Sequence, residues 1–182
     1  DNPFKGKAGA KPEIYSYGHR NVQGIALRPG TSEIWEHEHG ARGGDEVNIL
    51  KPGANYGWPK ITHGIDYSGA KITDYTSLPG MEQPITYWVP SIAVASLAFY
   101  DGAPFSKWKG DLLVSSLAQQ ELRRLVLKGN TVAKQEVLFG GVGRLRDIVV
   151  GPDGYIYVAF NQPDRIARLV PASAAPSSSA AK

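Results

Sequence analysis

Short apolar runs separated by turn-forming residues make up most of the chain. The runs are rich in Val, Ile, Leu, Phe and Tyr, and Gly, Pro, Asp and Asn interrupt them. Such runs predict strands, among them QGIALRP, EIWEHE, LAFYDG, KGDLLVSSL and ELRRLVLKGNTVAKQEVLF. The PDG of RDIVVGPDGYIYVAFNQPDRIARLVP predicts a tight hairpin turn within a further series of strands. Because no long window keeps a helical period, we expect an all-β chain.

Segments of the chain resemble one another, which points to a repeated unit. GIALRPGTSEIWEHE and DIVVGPDGYIYVAFN each join an apolar strand through a proline-containing turn to a strand with an aromatic residue. SLAFYDG with KGDLLVSS is a looser copy, and it starts about fifty residues before the last one, a spacing typical of four-stranded propeller blades. A Gly- and Pro-rich insertion, roughly residues 51–90, lengthens the first interval.

Three blade-like units are too few to close a propeller, since closed forms have at least four blades. We therefore expect residues 1–171 to be the C-terminal part of a longer β-propeller domain, roughly its last three blades. The small and polar residues 172–182 predict a disordered tail.

Composition excludes several classes of protein and site. The chain has no cysteine, so it carries no disulfide, thiolate zinc site or cysteine nucleophile. Its formal charge of +3 comes from scattered lysines and arginines rather than a basic run, which argues against a nucleic-acid partner. No apolar stretch approaches the length of a membrane span. The first residues contain no apolar signal core, so we expect any targeting sequence to be absent or already removed.

The stretch EHEHGARGGDE combines two kinds of metal-binding chemistry. Alternation along a strand places His37 and His39 on one face and the neighbouring acids on the other, and two such histidines could bind zinc, although a third ligand is not evident. The glycines free backbone carbonyls to turn toward a cation, while Asp45 and Glu46 add carboxylates. Calcium prefers such mixtures of oxygen ligands. A plain polar hairpin loop is the alternative.

Arginines near strand ends indicate an anion site. In GHRNVQG, Arg20 offers a planar fork beside the Asn21 amide just before a strand. In GRLRD, Arg144 and Arg146 lie two residues apart and share a face of a strand, where a bound anion would relieve their repulsion. A capped polar loop and solvated arginines are the simpler explanations. Together with the glycine turn, the three arginines predict a flat anionic ligand beside a calcium ion.

The aromatic residues of NYGWP and YWVPS are ambiguous. Tyr56, Trp58 and Trp88 could plug the end of a blade or, if exposed beside a cleft, stack on a flat ligand. No Ser/His/Asp constellation, phosphate-binding loop or GxGxxG motif accompanies them.

Several strings, in order along the chain, resemble the soluble PQQ-dependent sugar dehydrogenases, the family of aldose sugar dehydrogenase and soluble glucose dehydrogenase. They are GHRNVQGIALRP, EHGARGGDEVNIL, GANYGWP, YWVPSIAVASLAFY and GRLRDIVVGPDGYIYV, and the resemblance runs from about residue 12 to residue 171. It implies a six-bladed β-propeller. The cofactor that it implies is pyrroloquinoline quinone (PQQ), a flat ortho-quinone with three carboxylates that lies over the central channel.

The resemblance also implies roles for individual residues. Arg20 and Asn21 match the family's Arg-Asn pair at the quinone, and Trp88 matches an aromatic residue beside cofactor and sugar. Arg144 and Arg146 match the arginines that bind the cofactor's carboxylates. The matching metal positions are the carbonyls of Gly40 and Ala41 at the active-site calcium, and Glu46, Tyr56 and Asp66 at a second, structural calcium.

By resemblance, the reaction is oxidation of the C1 hydroxyl of an aldose sugar to a lactone, with calcium polarising the quinone and PQQ taking the hydride. The family's general base is a histidine of the upstream half, and no histidine of this chain lies in that motif. Ala118 stands where glucose-type members carry a lysine on the cofactor, and Ala41 stands where the family often has proline.

The leading hypothesis is the C-terminal half of a periplasmic or secreted PQQ- and calcium-dependent aldose sugar dehydrogenase. The N-terminal half of the propeller and a small aldose are the expected partners, while the electron acceptor and a homodimer stay open. One alternative is a non-catalytic propeller of the same lineage that serves as a binding module. Another is a calcium-dependent lactonase-type propeller hydrolase. The arginine pair argues against both, because neither needs a clamp for three carboxylates.

Overall fold

The computed structural model describes residues 2–172, and these form eleven strands and one short 3-10 turn at Ser106–Trp108. The predicted tail at 172–182 lies outside the described residues apart from Ala172. No helix in the described part is long and apolar enough to cross a membrane. The strands are β1 (Val22–Leu27), β2 (Ile34–Glu38), β3 (Asp45–Leu50), β4 (Thr86–Trp88), β5 (Val94–Phe99), β6 (Leu112–Ser116), β7 (Leu122–Lys128), β8 (Thr131–Phe139), β9 (Arg144–Val150), β10 (Ile156–Asn161) and β11 (Arg165–Leu169).

The strands form three antiparallel sheets, each built from strands that follow one another in the chain. The first sheet has the order β1-β2-β3-β4, the second β5-β6-β7-β8, and the third β9-β10-β11. The first strands of the sheets lie side by side, because β5 contacts both β1 and β9. The all-β prediction is therefore confirmed, as two four-stranded propeller blades and a third blade with three strands.

Side-chain alternation determines how deeply each sheet is buried. In β10, Ile156, Val158 and Phe160 are buried while the residues between them are partly exposed. In β6 all five residues are buried, because the second sheet lies between the other two and both of its faces are covered.

Two apolar cores join the sheets. The core between the first and second sheets includes Trp35 and Phe99, whose rings meet edge to face with centroids 5.3 Å apart. The core between the second and third sheets includes Leu113, Leu145 and Ile156, all fully buried. The middle sheet thus holds the stack together through both of its faces.

The long connection between β3 and β4 accounts for the extended first repeat. Backbone bonds hold it against the N-terminal segment: the N–H of Tyr56 donates to Tyr17 and that of Trp58 donates to Gly18, both at 2.8 Å. The insertion ends before residue 90, where the sequence placed its limit, because Thr86–Trp88 pair with β3 as the outer strand of the first sheet. The connection leaves β3 at the far end of that sheet and reaches the 39–44 turn at Ile65, which bridges to Arg42.

Apolar side chains are exposed at both ends of the stack. On β1, Ile25 and Leu27 are 62% and 61% exposed, and on β11 Ile166 is 77% exposed. The corresponding faces in the middle of the stack are covered by the neighbouring sheet. Exposed apolar surface of this kind is typical of a contact face.

We expect Leu113→Ala to lower the free energy of unfolding by about 2–5 kcal/mol, because it leaves a cavity between the second and third sheets. Urea denaturation followed by tryptophan fluorescence measures the loss. Val137→Ala on β8, where the side chain is half exposed, is the matched control and should cost less than about 0.5 kcal/mol. Equal losses in the two variants would contradict the packing described.

Candidate functional site

The 39–44 turn between β2 and β3 depends on glycine. A Cβ at Gly40 would collide with the Gly43 carbonyl oxygen, and Gly43 and Gly44 adopt positive φ angles of 90° and 79°. The N–H of Arg42 donates to the Ile65 carbonyl at 2.8 Å, which ties the turn to the long connection. The sequence GARGGDE therefore produces a tightly packed turn at the end of the first sheet.

A cleft of about 410 Å³ opens beside this turn. Among the described residues that line it are two arginines and no aspartate or glutamate. Its side chains therefore favour a negatively charged organic ligand over a positively charged one. Ala118 also lines the cleft, with a small side chain that leaves space there. The lining residues are His39, Gly40, Ala41, Arg42, Gly43, Tyr67, Pro90, Ser91, Ala93, Leu117, Ala118 and Arg144.

Arg144 is the predicted anion-binding residue that lines the cleft directly. Its Nε is buried and has no hydrogen-bond partner among the described residues. A buried donor left unpaired costs about 1–3 kcal/mol, so the described residues leave Arg144 Nε without the acceptor it needs. Arg146 lies two residues further along the same face of β9, but it is exposed, and its Nη2 donates to Asn161 Oδ1 at 3.2 Å. The two arginines share a face without both lining the cleft.

Arg20 lies at the edge of the cleft between two aromatic rings. Its guanidinium carbon is 5.3 Å from the Trp58 ring centroid and 5.8 Å from that of Tyr67. Its Nη1 donates to the His39 carbonyl at 3.1 Å. Tyr67 and His39 line the cleft, whereas Arg20 and Trp58 line a smaller neighbouring cavity.

A buried carboxylate sets the backbone of the predicted Arg20–Asn21 pair. Glu38 Oε2 accepts the N–H of Arg20 at 2.5 Å and that of Asn21 at 2.9 Å. The Asn21 side chain is itself exposed, and its Oδ1 accepts a hydrogen bond from Gln23 Nε2 at 2.9 Å. Glu38 therefore holds the pair through its main chain.

A second and much smaller cavity, of about 20 Å³, shares His39 and Gly40 with the cleft. We call it the acid cavity, because Glu38 and Glu46 line it together with Tyr56. Its volume suits one water-sized particle. Burial raises the pKa of Glu46 to about 7, and repulsion from the Glu38 carboxylate adds to the shift.

More ligand-type side chains adjoin the acid cavity. His19 Nδ1 lies 3.4 Å from Glu38 and 3.7 Å from Glu36, measured to carboxylate oxygens. Burial raises the pKa of Glu36 to about 9, with repulsion from Glu38 as the next cause. Within the described part of the chain, Glu36 Oε2 and Asn48 Oδ1 are buried without a hydrogen-bond partner. Such a group of acceptors is costly to bury unless protons or a cation neutralise it.

Trp88, which was predicted to lie beside the cofactor, is not among the residues that line the cleft. Its side chain is 7% exposed, packs in the core between the first and second sheets, and donates through Nε1 to Gln135 Oε1 at 2.9 Å. Its carbonyl accepts the Gly44 N–H at 2.8 Å. Alternation along β4 turns Tyr87, and not Trp88, outward. Trp88 thus supports the turn through its backbone.

Asp66 is also separate from the acid cavity, although it was predicted to share a metal site with Glu46 and Tyr56. Its exposed Oδ1 accepts the Ser68 N–H at 2.8 Å and the Ser68 hydroxyl at 2.6 Å, and these bonds lower the pKa of Asp66. Tyr56 does line the cavity, but its hydroxyl donates to the Ile49 carbonyl at 2.6 Å. The structure therefore brings together Glu46 and Tyr56 and leaves Asp66 out.

The two histidines of EHEH do not form a shared metal site in the described residues. His37 is fully buried with neither ring nitrogen bonded, and burial lowers its pKa. His39 Nε2 hydrogen-bonds to the Val94 carbonyl at 2.5 Å, and His39 lines the cleft.

Two residues that line the cleft, Arg42 and Tyr67, were not predicted from the sequence. Only the position of Arg42 inside the glycine turn could have indicated its role.

The sequence matches one known family over nearly its whole length. The family model for glucose/sorbosone dehydrogenase covers residues 1–168. Aldose sugar dehydrogenase YliI from Escherichia coli (strain K12) is 44% identical over 165 residues, which are 89% of this chain and 44% of that protein. Nearly all of this chain is thus similar to less than half of that relative.

Solved structures give the same result. A crystal structure of a glucose dehydrogenase matches with a TM-score of 0.89 and 48% identity, over 93% of this chain and 50% of the other. The PQQ-bound form of an aldose sugar dehydrogenase from Streptomyces coelicolor matches with a TM-score of 0.69 and 29% identity, over 93% of this chain and 47% of the other. The chain spans about half the length of the relatives it matches.

We expect Gly40→Ala to lower the free energy of unfolding by about 1–3 kcal/mol, because its Cβ meets the Gly43 carbonyl and the turn has to move. Thermal and urea denaturation measure the loss. Gly30→Ala is the matched control: it has open space around the new methyl and only the strain of a positive φ. A smaller loss in Gly40→Ala than in Gly30→Ala would contradict the close packing of the turn.

Proposed function

The chain belongs to the glucose/sorbosone dehydrogenase family, and we propose that it forms the C-terminal half of a PQQ- and calcium-dependent enzyme that oxidises the C1 hydroxyl of an aldose sugar to a lactone. One observation carries the proposal: the Gly40–Ala41 turn and Arg144 line the same cleft, and no aspartate or glutamate is among the described residues that line it. A cation-binding turn and an anion-binding arginine in one cleft are what a calcium-bound tricarboxylate needs.

PQQ fits the residues of the cleft. A flat acid needs donors at its carboxylates and open space for its rings, and Arg144, Arg42 and small Ala118 provide these. Arg20, fixed between Trp58 and Tyr67, adds a cation at the edge. Arg146 is exposed and uses only Nη2 on Asn161, so its other N–H groups are left for a carboxylate. Asn21 would contribute a neutral amide.

Calcium fits two places. At the turn, Gly40 and Ala41 would supply carbonyl oxygens, which calcium accepts as readily as carboxylates. In the acid cavity, Glu46 and Glu38 would hold a second ion, and the orphaned Glu36 Oε2 supports a cation there. Either ion would offset buried negative charge that otherwise destabilises the fold.

When bound, PQQ supplies a hydride acceptor and calcium supplies a Lewis acid. The residues of this chain bind and orient: Arg144 would neutralise a carboxylate, and Glu38 would keep Arg20 in place through its main chain. None of its histidines is assigned the proton from the sugar hydroxyl, and we place that general base in the upstream half.

The proposal also explains the exposed ends of the sheet stack. Ile25 and Leu27 at one end and Ile166 at the other would be covered by the remaining blades, supplied by the N-terminal half of the propeller. An aldose would be the substrate, the electron acceptor is not assigned, and a periplasmic or secreted location is part of the proposal. A propeller of the same lineage that binds without catalysis is the alternative, favoured by the lack of an assigned base here.

We expect the complete propeller to bind PQQ saturably in calcium and to lose this binding in excess chelator. Arg144→Ala combined with Arg146→Ala should weaken binding at least about 100-fold, since each removes a charge-assisted contact of about 1.5–3 kcal/mol. Absorbance titration with PQQ measures it. Arg168→Ala, an exposed arginine of β11, is the control and should bind as the parent does. No binding by a folded, complete propeller would favour the binding module.

We expect the isolated chain to form no lactone when supplied with PQQ, calcium, an aldose and an artificial electron acceptor, because the proposed base lies outside it. Lactone formation is measured by dye reduction and by direct detection of the product. Addition of the upstream half should restore turnover. Turnover by the purified chain alone would contradict the division of the site between the two halves.

A further inference from the structure

Asp45, at the start of β3, is a fully buried carboxylate that accepts hydrogen bonds from two separate loops. From the glycine turn, the Gly40 N–H donates to Oδ1 at 3.0 Å. From the segment after β4, the Ser91 hydroxyl lies 2.7 Å from both oxygens and the Ala93 N–H donates to Oδ2 at 2.7 Å. One side chain therefore joins two walls of the cleft, because Gly40, Ser91 and Ala93 all line it.

The wall formed by Ser91 and Ala93 is in turn hydrogen-bonded to the loop after β6. Ala93 adopts a positive φ of 54°, which a residue with a Cβ rarely takes. Its carbonyl accepts the Leu117 N–H at 2.8 Å, and Leu117 lines the cleft as well. Asp45 thus fixes the loops that follow β2, β4 and β6 relative to one another.

The Asp45 carboxylate has hydrogen-bond donors around it but no positively charged partner in the described part of the chain. Neutral donors alone surround it, and no arginine, lysine or histidine pairs with it in the described residues. A buried carboxylate without a cationic partner is costly, and a divalent ion at the adjacent turn would balance it. Groups behind metal ligands commonly tune affinity in this way, by orienting the ligands and adding charge.

We propose that Asp45 is a positioning residue for the cation at the Gly40–Ala41 turn: it orients the two carbonyls by holding the Gly40 N–H and contributes a negative charge behind them. This rests on the proposed function, since that function places calcium at the turn. It adds a residue that does not touch the metal or the cofactor but sets the affinity of the site. Asp45 would also align the arginine-bearing side of the cleft through Ser91 and Ala93.

Calcium calorimetry on a Glu36→Gln, Glu46→Gln background tests the proposal, since these changes remove two carboxylates at the acid cavity and leave the backbone carbonyls of the turn unchanged. Asp45→Asn keeps the shape but loses the charge and one acceptor, and it should weaken calcium binding by about 10- to 100-fold. Asp111→Asn is the control: Asp111 is also buried and accepts the Leu127 N–H at 3.1 Å, but it pairs with Arg124 at 3.2 Å and lies outside the cleft. It should leave calcium affinity within about twofold of the parent.

Ser91→Ala keeps the test decisive if Asp45→Asn does not fold. Losing the hydroxyl loosens one side of Asp45 at a cost of about 1 kcal/mol, and we expect about 3- to 10-fold weaker calcium binding. Melting temperatures in excess chelator separate the roles: Asp45→Asn and Asp111→Asn should both melt lower, while only the former loses calcium affinity. Unchanged affinity in Asp45→Asn, or in Ser91→Ala if that alone folds, would overturn the proposal.

The same titrations distinguish this proposal from the proposed function. If the parent binds calcium in an Asp45-dependent manner but the complete propeller takes up no PQQ, the positioning role stands and the dehydrogenase assignment fails. If PQQ binds in a calcium-dependent manner and Asp45→Asn needs no more calcium than the parent for half-saturation, the dehydrogenase assignment stands and the positioning role fails.

Discussion

The buried carboxylate of Asp45 is the constraint on which the candidate site depends. It lies where the glycine turn of the first sheet meets the loop that enters the second, and it satisfies donors from both. Without it, the Gly40 N–H would be left unpaired, at about 1–3 kcal/mol, and the Ala93 N–H would keep only the Ser91 hydroxyl, at 3.1 Å. The packing of the sheets sets the distance between the loops, and this carboxylate sets their alignment. The cleft exists because both conditions hold.

Charge is sorted around the same turn. The cleft on one side has Arg42 and Arg144 and no acid among the described residues that line it, while the acid cavity holds Glu38 and Glu46, with Arg20 in its wall. Glu38 connects the two, because its carboxylate faces the acid group and also fixes the main chain of Arg20. Cations would therefore be drawn to the turn and the acid cavity, and an anionic ligand to the arginine side. This separation is the physical basis for expecting an acidic cofactor bound through a metal.

Much of the fold could be predicted from the sequence because the strands carry a strong local pattern. The alternation in IYVAFN and the PDG turn before it predict β10 and its hairpin, and the structure confirms them. The three-residue β4 could not be found in this way, because it is too short to show a period. Its register decides which of Tyr87 and Trp88 faces inward, and a shift of one residue exchanges them. The local pattern therefore left Trp88 open between core and ligand, and in the structure its side chain packs in the core.

The site was harder to predict than the fold, because its parts come from distant segments. GARGGDE identifies a turn with cation chemistry, but nothing in it indicates that Asp45 reaches Ser91, far along the chain. Asp66 has the residue type of a metal ligand, yet its carboxylate is used by Ser68 in its own turn. Tyr67 becomes a cleft residue only because the long connection folds back beside the glycine turn. Resemblance to a family supplied the arginine roles, which local pattern alone left open.

The central claim is that the glycine turn and Arg144 hold one calcium-bound cofactor between them. A crystal structure of the complete propeller with calcium and PQQ, with anomalous scattering used to locate the metal, tests this most directly. The account predicts an anomalous peak within coordination distance of the Gly40 and Ala41 carbonyls, and a PQQ carboxylate hydrogen-bonded to Arg144. Calcium confined to the acid cavity, with PQQ absent from the cleft or bound away from Arg144, would contradict it.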